Sequence, residues 1–309
     1  MKEQNMKEVS AKQKITKPMV TFFTYVFLLF MAIVVLFPFY WMIISSLKST
    51  MEYRLNVPTF WPKDIMLSNY IEAFTTGSLG RLFYNTLIVG LVSTILSLVI
   101  TVLSAFAFAR LEFKGRDTLF TLLLATMMIP GELFTITNYQ TINDFLGLYS
   151  LGKALNSEFL MTIGNWKSTY TVLIVPFLVS VFYIFLLRQN FLQIPNELYL
   201  AAKVDGTSDI KYLWKVMIPL SLPTLISITI LKMMGAWNSY IWPRLVANDE
   251  AHRLITNGLR GAAFIDEAGQ TNYPVQMAAV AIVSAPLFLV FVFLRKYIMA
   301  GVSRSGIKG

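Results

Sequence analysis

Along this chain the apolar positions gather into six long stretches separated by polar segments. They run from Val20 to Ser45, Phe83 to Ala109, Thr118 to Tyr139, Tyr170 to Leu187, Leu220 to Trp242 and Met277 to Tyr297. A helix needs about 20 apolar residues to cross the hydrocarbon core, where each backbone amide must be satisfied within its own segment. All six stretches meet that length, and the third and fifth are the most interrupted. The pattern predicts an all-α, polytopic membrane protein with six transmembrane helices.

The segment before the first stretch, Met1 to Pro18, is polar and Lys-rich. The apolar run that follows is too long for a signal peptide and lacks a small-residue cleavage site, so it reads as a retained first span. Residues 1–18 then form a cytoplasmic basic tail, and residues 19–309 a single six-helix transmembrane domain. With the tail inside, sixteen Lys and Arg residues fall on the cytoplasmic side: Lys2, Lys7, Lys12, Lys14 and Lys17 in the tail, Arg110, Lys114 and Arg116 after the second helix, Arg188, Lys203, Lys211 and Lys215 after the fourth, and Arg295, Lys296, Arg304 and Lys308 at the end. Nine fall outside, Lys167 among them, and Lys232 lies within the fifth helix. The bias places both termini in the cytoplasm.

Composition narrows the class further. The chain has 309 residues, 56% of them hydrophobic and 14% charged, and its mean hydropathy is +0.60. That is far more apolar than a soluble domain. A net charge of +9 would suggest nucleic acid in a soluble protein; here the topology accounts for it. There is no Cys, which excludes disulfides, thiolate metal sites and a Cys nucleophile. The one His, His252, cannot build a metal cluster alone and has no Ser and Asp arrangement that would make a catalytic triad.

The segment 188–219 is a large cytoplasmic loop between the fourth and fifth helices. It reads Ile194-Pro195-Asn196-Glu197-Leu198-Tyr199-Leu200-Ala201-Ala202-Lys203-Val204-Asp205-Gly206, and later Trp214-Lys215-Val216-Met217-Ile218-Pro219. Pro195 suits a helix start and Gly206 a helix end. Leu198, Ala201, Ala202 and Asp205 recur at spacings of three and four, which predicts a short helix with one small-residue face able to dock into a groove.

This loop resembles the signature loop of permease subunits of bacterial ATP-binding-cassette importers, in which an Ala-Ala pair, Asp-Gly and a later Pro form the coupling helix. Leu200 stands where the family usually has Glu, while Glu197 of the Pro-x-Glu-Leu element is kept. The likeness extends to Asn85-Thr86, Ala107-Phe108-Ala109-Arg110, Met128-Ile129-Pro130 and Gly235-Ala236-Trp237-Asn238-Ser239-Tyr240-Ile241-Trp242-Pro243. It continues in the tail from Lys296 to Gly301 and on to Gly306-Ile307-Lys308-Gly309. Together these look like the maltose-type sugar permeases of the smaller-subunit kind, over most of residues 20–309. The resemblance implies a bacterial plasma-membrane subunit forming part of a translocation pathway for a sugar, with an oligosaccharide favoured. It implies as partners a homologous second permease, two ATPase subunits that hold ATP and Mg²⁺, and an extracytoplasmic sugar-binding protein. It also assigns the coupling role to Glu197, Ala201, Ala202, Asp205 and Gly206 in residues 194–209.

A near-miss to a phosphate-binding loop, Gly147-Leu148-Tyr149-Ser150-Leu151-Gly152-Lys153-Ala154, lacks the Ser or Thr that would hold Mg²⁺ and faces outward. No cofactor is therefore expected on this chain, and hydrolysis belongs to a separate subunit. The stretch from Leu146 to Ser168 reads as an outer insertion able to contact a binding protein.

Candidate pathway residues follow from chemistry at depth. Lys232 lies about 18 Å along the fifth helix and Glu132 about 21 Å along the third, at 1.5 Å per residue. Intramembrane charges are costly and pair or face water, so these two either pair or stand apart, Lys232 in a wet cavity and Glu132 near the outer surface. Trp237, Asn238 and Tyr240 suit a sugar, with rings for its C–H faces and an amide for its hydroxyls. The alternative for this aromatic cluster, and for Trp242 above all, is an interfacial belt. A self-sufficient ion-coupled carrier using Glu132 and Lys232 is the alternative function, and a membrane hydrolase a third that lacks a nucleophile and base.

Overall fold

The computed structural model describes residues 2–165, 169–247, 249–262, 264–266 and 269–303. Lys167, Arg304, Lys308 and the closing Gly306-Ile307-Lys308-Gly309 lie outside the described residues, as do the last three positions of the 146–168 insertion. Among the described residues the secondary structure is helical apart from one isolated bridge between Ile265 and Thr271.

Six spans form. Three are single helices: Met19–Ser46, within a helix that starts at Lys2, then Leu79–Arg110, then Tyr273–Arg295 of the helix Tyr273–Ser303. Three are broken. The third span joins Arg116–Thr126 to Gly131–Leu155 at 78°, the fourth joins Tyr170–Phe177 to Val181–Leu192 at 46°, and the fifth joins Asp209–Leu220 to Leu222–Trp237 at 80°. The expected six spans are present, and the breaks fall at helix-disturbing residues: Pro130-Gly131 in the third, Pro176 in the fourth, Pro219 and Pro223 in the fifth.

The fifth span ends earlier than the apolar run predicts. Its helix stops at Trp237, and Trp242 belongs to a separate turn, Ile241–Val246. A continuous helix would need an N–H from residue 243 for the Ser239 carbonyl, and Pro243 has none. The Thr256 hydroxyl instead donates to the Ser239 carbonyl, and the side-chain amide of Asn238 adds a second donor (3.0 Å) to the Met234 carbonyl, which already accepts the Asn238 N–H.

The chain divides into two compact units, residues 1–73 with 263–282 and residues 74–262 with 283–309. In the first unit the loop after the first span is stapled by its own polar groups. The Glu52 carboxylate accepts from the Thr59 hydroxyl (2.6 Å) and the Lys63 N–H (3.1 Å). The Asn69 amide donates to the Ser46 and Lys48 carbonyls, each at 2.8 Å. Arg54 pairs with Asp266 at 2.7 Å, and the rings of Tyr53 and Tyr273 stack at 5.4 Å. Every residue from 19 to 40 is exposed, as suits a helix whose solvent is lipid.

In the second unit the helix Leu79–Arg110 is the axis on which Val181–Leu192 and Leu222–Trp237 pack. Its buried face is unusually small and polar: Asn85, Thr86, Gly90, Ser93, Thr94, Ser97 and Thr101. Helices in a bilayer gain from van der Waals contact rather than from apolar burial, so small residues that admit a neighbour closely serve them best. Gly90 shows the effect, because a Cβ there would sit 2.9 Å from the Met233 sulfur. Two apolar clusters cap this polar stripe, one around Val89, Val172, Trp242 and Leu254, the other around Phe106, Leu187, Phe191 and Met217.

Enlarging the contact tests this packing. Gly90→Leu should overpack the interface by about 1–3 kcal/mol and lower the thermal unfolding temperature in detergent, and adding Met233→Ala should restore most of the loss.

Candidate functional site: the cytoplasmic loop and the cavity above it

Pro195 precedes a helix over Asn196–Val204, and Asp205 and Gly206 end it. Gly206 adopts φ +69°, a conformation that costs a residue with a Cβ about 1–2 kcal/mol. Its N–H donates to the Lys203 carbonyl (3.0 Å) and the Thr207 N–H to the Ala202 carbonyl (2.8 Å), the two bonds of a Schellman helix end. The predicted glycine stop is therefore a geometric requirement at this position.

The expected docking face is only partly as predicted. Glu197, Leu198, Ala201 and Asp205 are exposed, whereas Ala202 is half-buried and packs with Tyr199 against the Phe106 and Phe191 cluster. Neighbouring residues lie about 100° apart around a helix, so the two alanines of the pair serve different faces, Ala201 the exposed one and Ala202 the packed one. Leu200 and Val204, the latter 89% exposed, extend the outward surface with apolar groups.

A second arm fixes the loop's shape. The Tyr199 hydroxyl donates to Asp209 (2.8 Å), Lys203 pairs with the same carboxylate at 2.6 Å, and the Tyr199 ring lies 5.1 Å from that of Tyr212. The hydrogen bonds from Lys203 and then Tyr199 hold the Asp209 carboxyl below the usual carboxylate range. The bond to Asp209 raises the Lys203 ammonium above its ordinary value, while desolvation first, then that carboxylate, raises Tyr199.

The loop is tied to the second span by two arginines whose positions were legible only as cytoplasmic charge. Arg110, buried at the end of Leu79–Arg110, donates to the carbonyls of Phe191 (2.9 Å) and Ile194 (2.6 Å). These groups end the helix Val181–Leu192 and lead into Pro195; the Ile194 N–H reaches the Phe191 carbonyl at 3.2 Å, and Arg110 adds a charged donor to it and to Ile194, where the regular helical ladder has stopped. Arg188 answers from the opposite helix, donating to the Phe108 carbonyl (3.1 Å) and lying 4.0 Å over the Phe120 ring. The signal available in sequence was an Arg directly following the apolar run at the cytoplasmic end of each helix of the pair.

Deeper in the second unit, a cavity of about 390 Å³ lies between the second, fourth and fifth spans, with Lys232 on its wall. The Lys232 ammonium donates to the Phe177 carbonyl, which the bend in the fourth span leaves at a helix end. Of the two readings open for Lys232 and Glu132, the structure shows them standing apart. Glu132 sits in the short turn Gly131–Leu133 created by Pro130, exposed, and lines a neighbouring hollow of about 560 Å³ together with Asn238 and Tyr240. Phe177, Ser239 and Trp242 form the wall common to both spaces.

Glu132, Asn238 and Tyr240 are thus brought together and Lys232 lies next to them, but Trp237 is not. It is buried against Phe83, ring centroids 5.5 Å apart, because the helix ends there with its ring turned into the packing. Nor is Trp242 part of a belt: it is buried and its Nε1–H donates to the Val172 carbonyl (2.9 Å). His252 makes a loop contact, 2.7 Å from Asp249. Asn85 and Thr86 hold the same loop, the Asn85 amide donating to the Ala251 and Arg253 carbonyls and Thr86 accepting from the Ile255 N–H.

Residues 97–304 match the family described as the binding-protein-dependent transport system inner membrane component. The chain is 29% identical over 95% of its length to the arabinooligosaccharides transport system permease protein AraQ of Halalkalibacterium halodurans, covering 99% of that protein. It is 31% identical over 87% of its length to the sn-glycerol-3-phosphate transport system permease protein UgpE of Rhizobium meliloti, covering 91% of it. A chain of a bacterial ABC transporter involved in the import of the acidic polysaccharide alginate shares the fold, with a TM-score of 0.77 at 22% identity, over 91% of this chain and 97% of that one.

Two outcomes test the loop geometry. Arg110→Met should strand the Ile194 carbonyl, leave Phe191 with only the Ile194 N–H, and destabilise the protein by about 1.5–3 kcal/mol, the scale of a lost charged hydrogen bond, seen as a lower unfolding temperature; Arg110→Lys should recover part of it. The Asp209 contribution, from a depressed folded value, is present above the ordinary carboxylate value of about 4 and lost as pH falls through the depressed one. The Lys203 contribution, from a raised folded value, is present below about 10.4 and lost as pH rises through the raised one. Amide protection factors over residues 196–210, measured against the intrinsic exchange rate at each pH, should therefore stay flat across neutral pH and fall in Asp209→Asn.

Proposed function

Because the chain belongs to the family of binding-protein-dependent transport system inner membrane components, we propose that it is the sugar-conducting permease subunit whose loop 194–209 receives the stroke of a separate ATPase. It is a multi-pass membrane subunit of an ATP-binding-cassette importer, and it is not itself the hydrolase. It works with a second permease, an ATPase and an extracytoplasmic binding protein. The finer arrangement proposed is a heterodimer with a homologous permease, two ATPase subunits holding ATP and Mg²⁺ beneath it, and a sugar-binding protein above. Relatives named for arabinooligosaccharides and for glycerol phosphate support a saccharide or sugar-phosphate cargo.

The observation that carries this reading is the shape of the cytoplasmic loop. A short helix exposes Leu198, Leu200, Ala201 and Val204 to the cytoplasm, while Tyr199, Ala202 and the Arg110 clasp anchor its other side. An outward apolar surface on a rigid base fits a helix seated in a partner's groove. ATP-driven closure of the ATPases would move that helix, and the clasp would carry the displacement to the second and fourth spans that wall the cavity. ATP thereby favours one of two access states by binding one better than the other. No pairing of Glu132 with Lys232 supports a self-sufficient ion-coupled carrier.

The test is uptake by proteoliposomes holding the chain with its genomic partners. ATP-dependent sugar uptake is expected, falling by about tenfold or more, the equivalent of ~1.4 kcal/mol of lost docking, in Val204→Glu and Leu198→Glu. Gly206→Val should act in the same direction through the helix end. Uptake that needs no ATP and survives these changes would overturn the assignment.

A further inference from the structure

The cavity beneath Phe177 carries a charge that the packing does not neutralise. Lys232 is half-buried on its wall, and among the described lining residues there is no Asp or Glu. An ammonium has three donors, and the partner that the structure gives this one is the neutral Phe177 carbonyl. Around it the wall offers the hydroxyls of Ser93, Ser180, Tyr183 and Ser239, and the apolar faces of Phe177 and Trp242. The Ser180 oxygen already accepts from the Tyr183 N–H, so its own proton is free to donate outward. At about 390 Å³ the space falls at the lower end of the range of about 300–1,000 Å³ found for small-molecule sites.

We propose that this cavity is a passage site for an anionic saccharide, whose carboxylate or phosphate meets Lys232 while its hydroxyls meet the serines and Tyr183. The proposal rests on the importer reading and adds the charge class of the cargo. An intramembrane lysine without a counter-charge is costly, and an anion arriving with each substrate offsets that cost for as long as it stays. The donors come from three different spans, the second, fourth and fifth, so their spacing changes when those spans reorient. A site that is complete in one arrangement and spread in the other both holds and releases its cargo. Glu132 does not cancel the lysine, because it belongs to the neighbouring hollow beyond the wall of Phe177, Ser239 and Trp242.

The competing explanation for Lys232 is purely structural: it satisfies the Phe177 carbonyl at the broken end of the fourth span. Two substitutions separate the roles. Lys232→Gln keeps a donor for that carbonyl and removes the charge, whereas Lys232→Arg keeps both.

The experiment uses the full complex in proteoliposomes, with ATP and binding protein. It measures kcat/KM for uptake of a short oligogalacturonate, of sn-glycerol 3-phosphate and of the neutral maltotriose. The wild-type complex is expected to carry an anionic probe in preference to the neutral one, with the oligogalacturonate and glycerol phosphate arms distinguishing carboxylate from phosphate. Lys232→Gln should reduce the preference for anionic over neutral cargo by at least about tenfold, the lower range for breaking a buried charge pair, and Lys232→Arg should hold it within about threefold. Preference unchanged in Lys232→Gln, or lost equally in both variants, would show that the lysine only supports the helix end and would overturn the proposal. A wild-type complex that carries only maltotriose would also overturn it while leaving the importer reading intact; one that carries none of the probes despite ATP would overturn both.

Discussion

Backbone carbonyls at membrane depth have no water to turn to, and this protein breaks three of its six spans. The structure depends on how those freed groups are met. Side chains meet several of them: Lys232 at Phe177, Trp242 at Val172 and Thr256 at Ser239, while at the cytoplasmic ends of the helices Arg188 meets Phe108 and Arg110 meets Ile194 and adds a donor to Phe191. Several of these residues would pass, in a list of types, for substrate contacts or positive-inside charges. Their first duty is to let a helix stop or bend inside a bilayer.

That constraint explains how a bundle of straight and broken helices can be both stable and movable. The small, polar face of Leu79–Arg110 allows close approach of its neighbours without interlocking large side chains. At its cytoplasmic end the two arginines exchange partners with Val181–Leu192, so the helices are held at their ends by directional bonds. Farther along, the same pair of elements walls the Lys232 cavity. The loop 196–204 is thus joined to the helices that wall the cavity both by directional bonds and by the packing of Tyr199 and Ala202 on the Phe106 and Phe191 cluster.

Resemblance and physics divided the site between them. The glycine at 206, the proline at 195 and the polar loop position were readable because each follows from local backbone chemistry. The Tyr199, Lys203 and Asp209 cluster was not, because it joins two short helices across a turn and leaves no periodic trace. Trp237 misled for a related reason. Its type and depth fit a sugar platform, but a helix that ends at Asn238 turns its ring into the packing against Phe83. Equal depth along straight helices left pairing of Glu132 with Lys232 open as one of two readings, and the third span is not straight: a 78° break carries Glu132 into a different hollow.

The sequence by itself determined that this chain crosses the bilayer six times and which face of it is cytoplasmic. It also determined that the loop between the fourth and fifth spans contains a short helix closed by Gly206. These are consequences of hydrocarbon length, charge placement and single-residue backbone preferences, all local in the chain. Only the tertiary structure decided which alanine of the pair faces out, where the spans bend and which carbonyls the bends release. It also decided that Lys232 stands on a cavity wall with no carboxylate among its described lining residues. Those outcomes rest on the direction a side chain takes after a break, and that direction is fixed by neighbours distant in sequence.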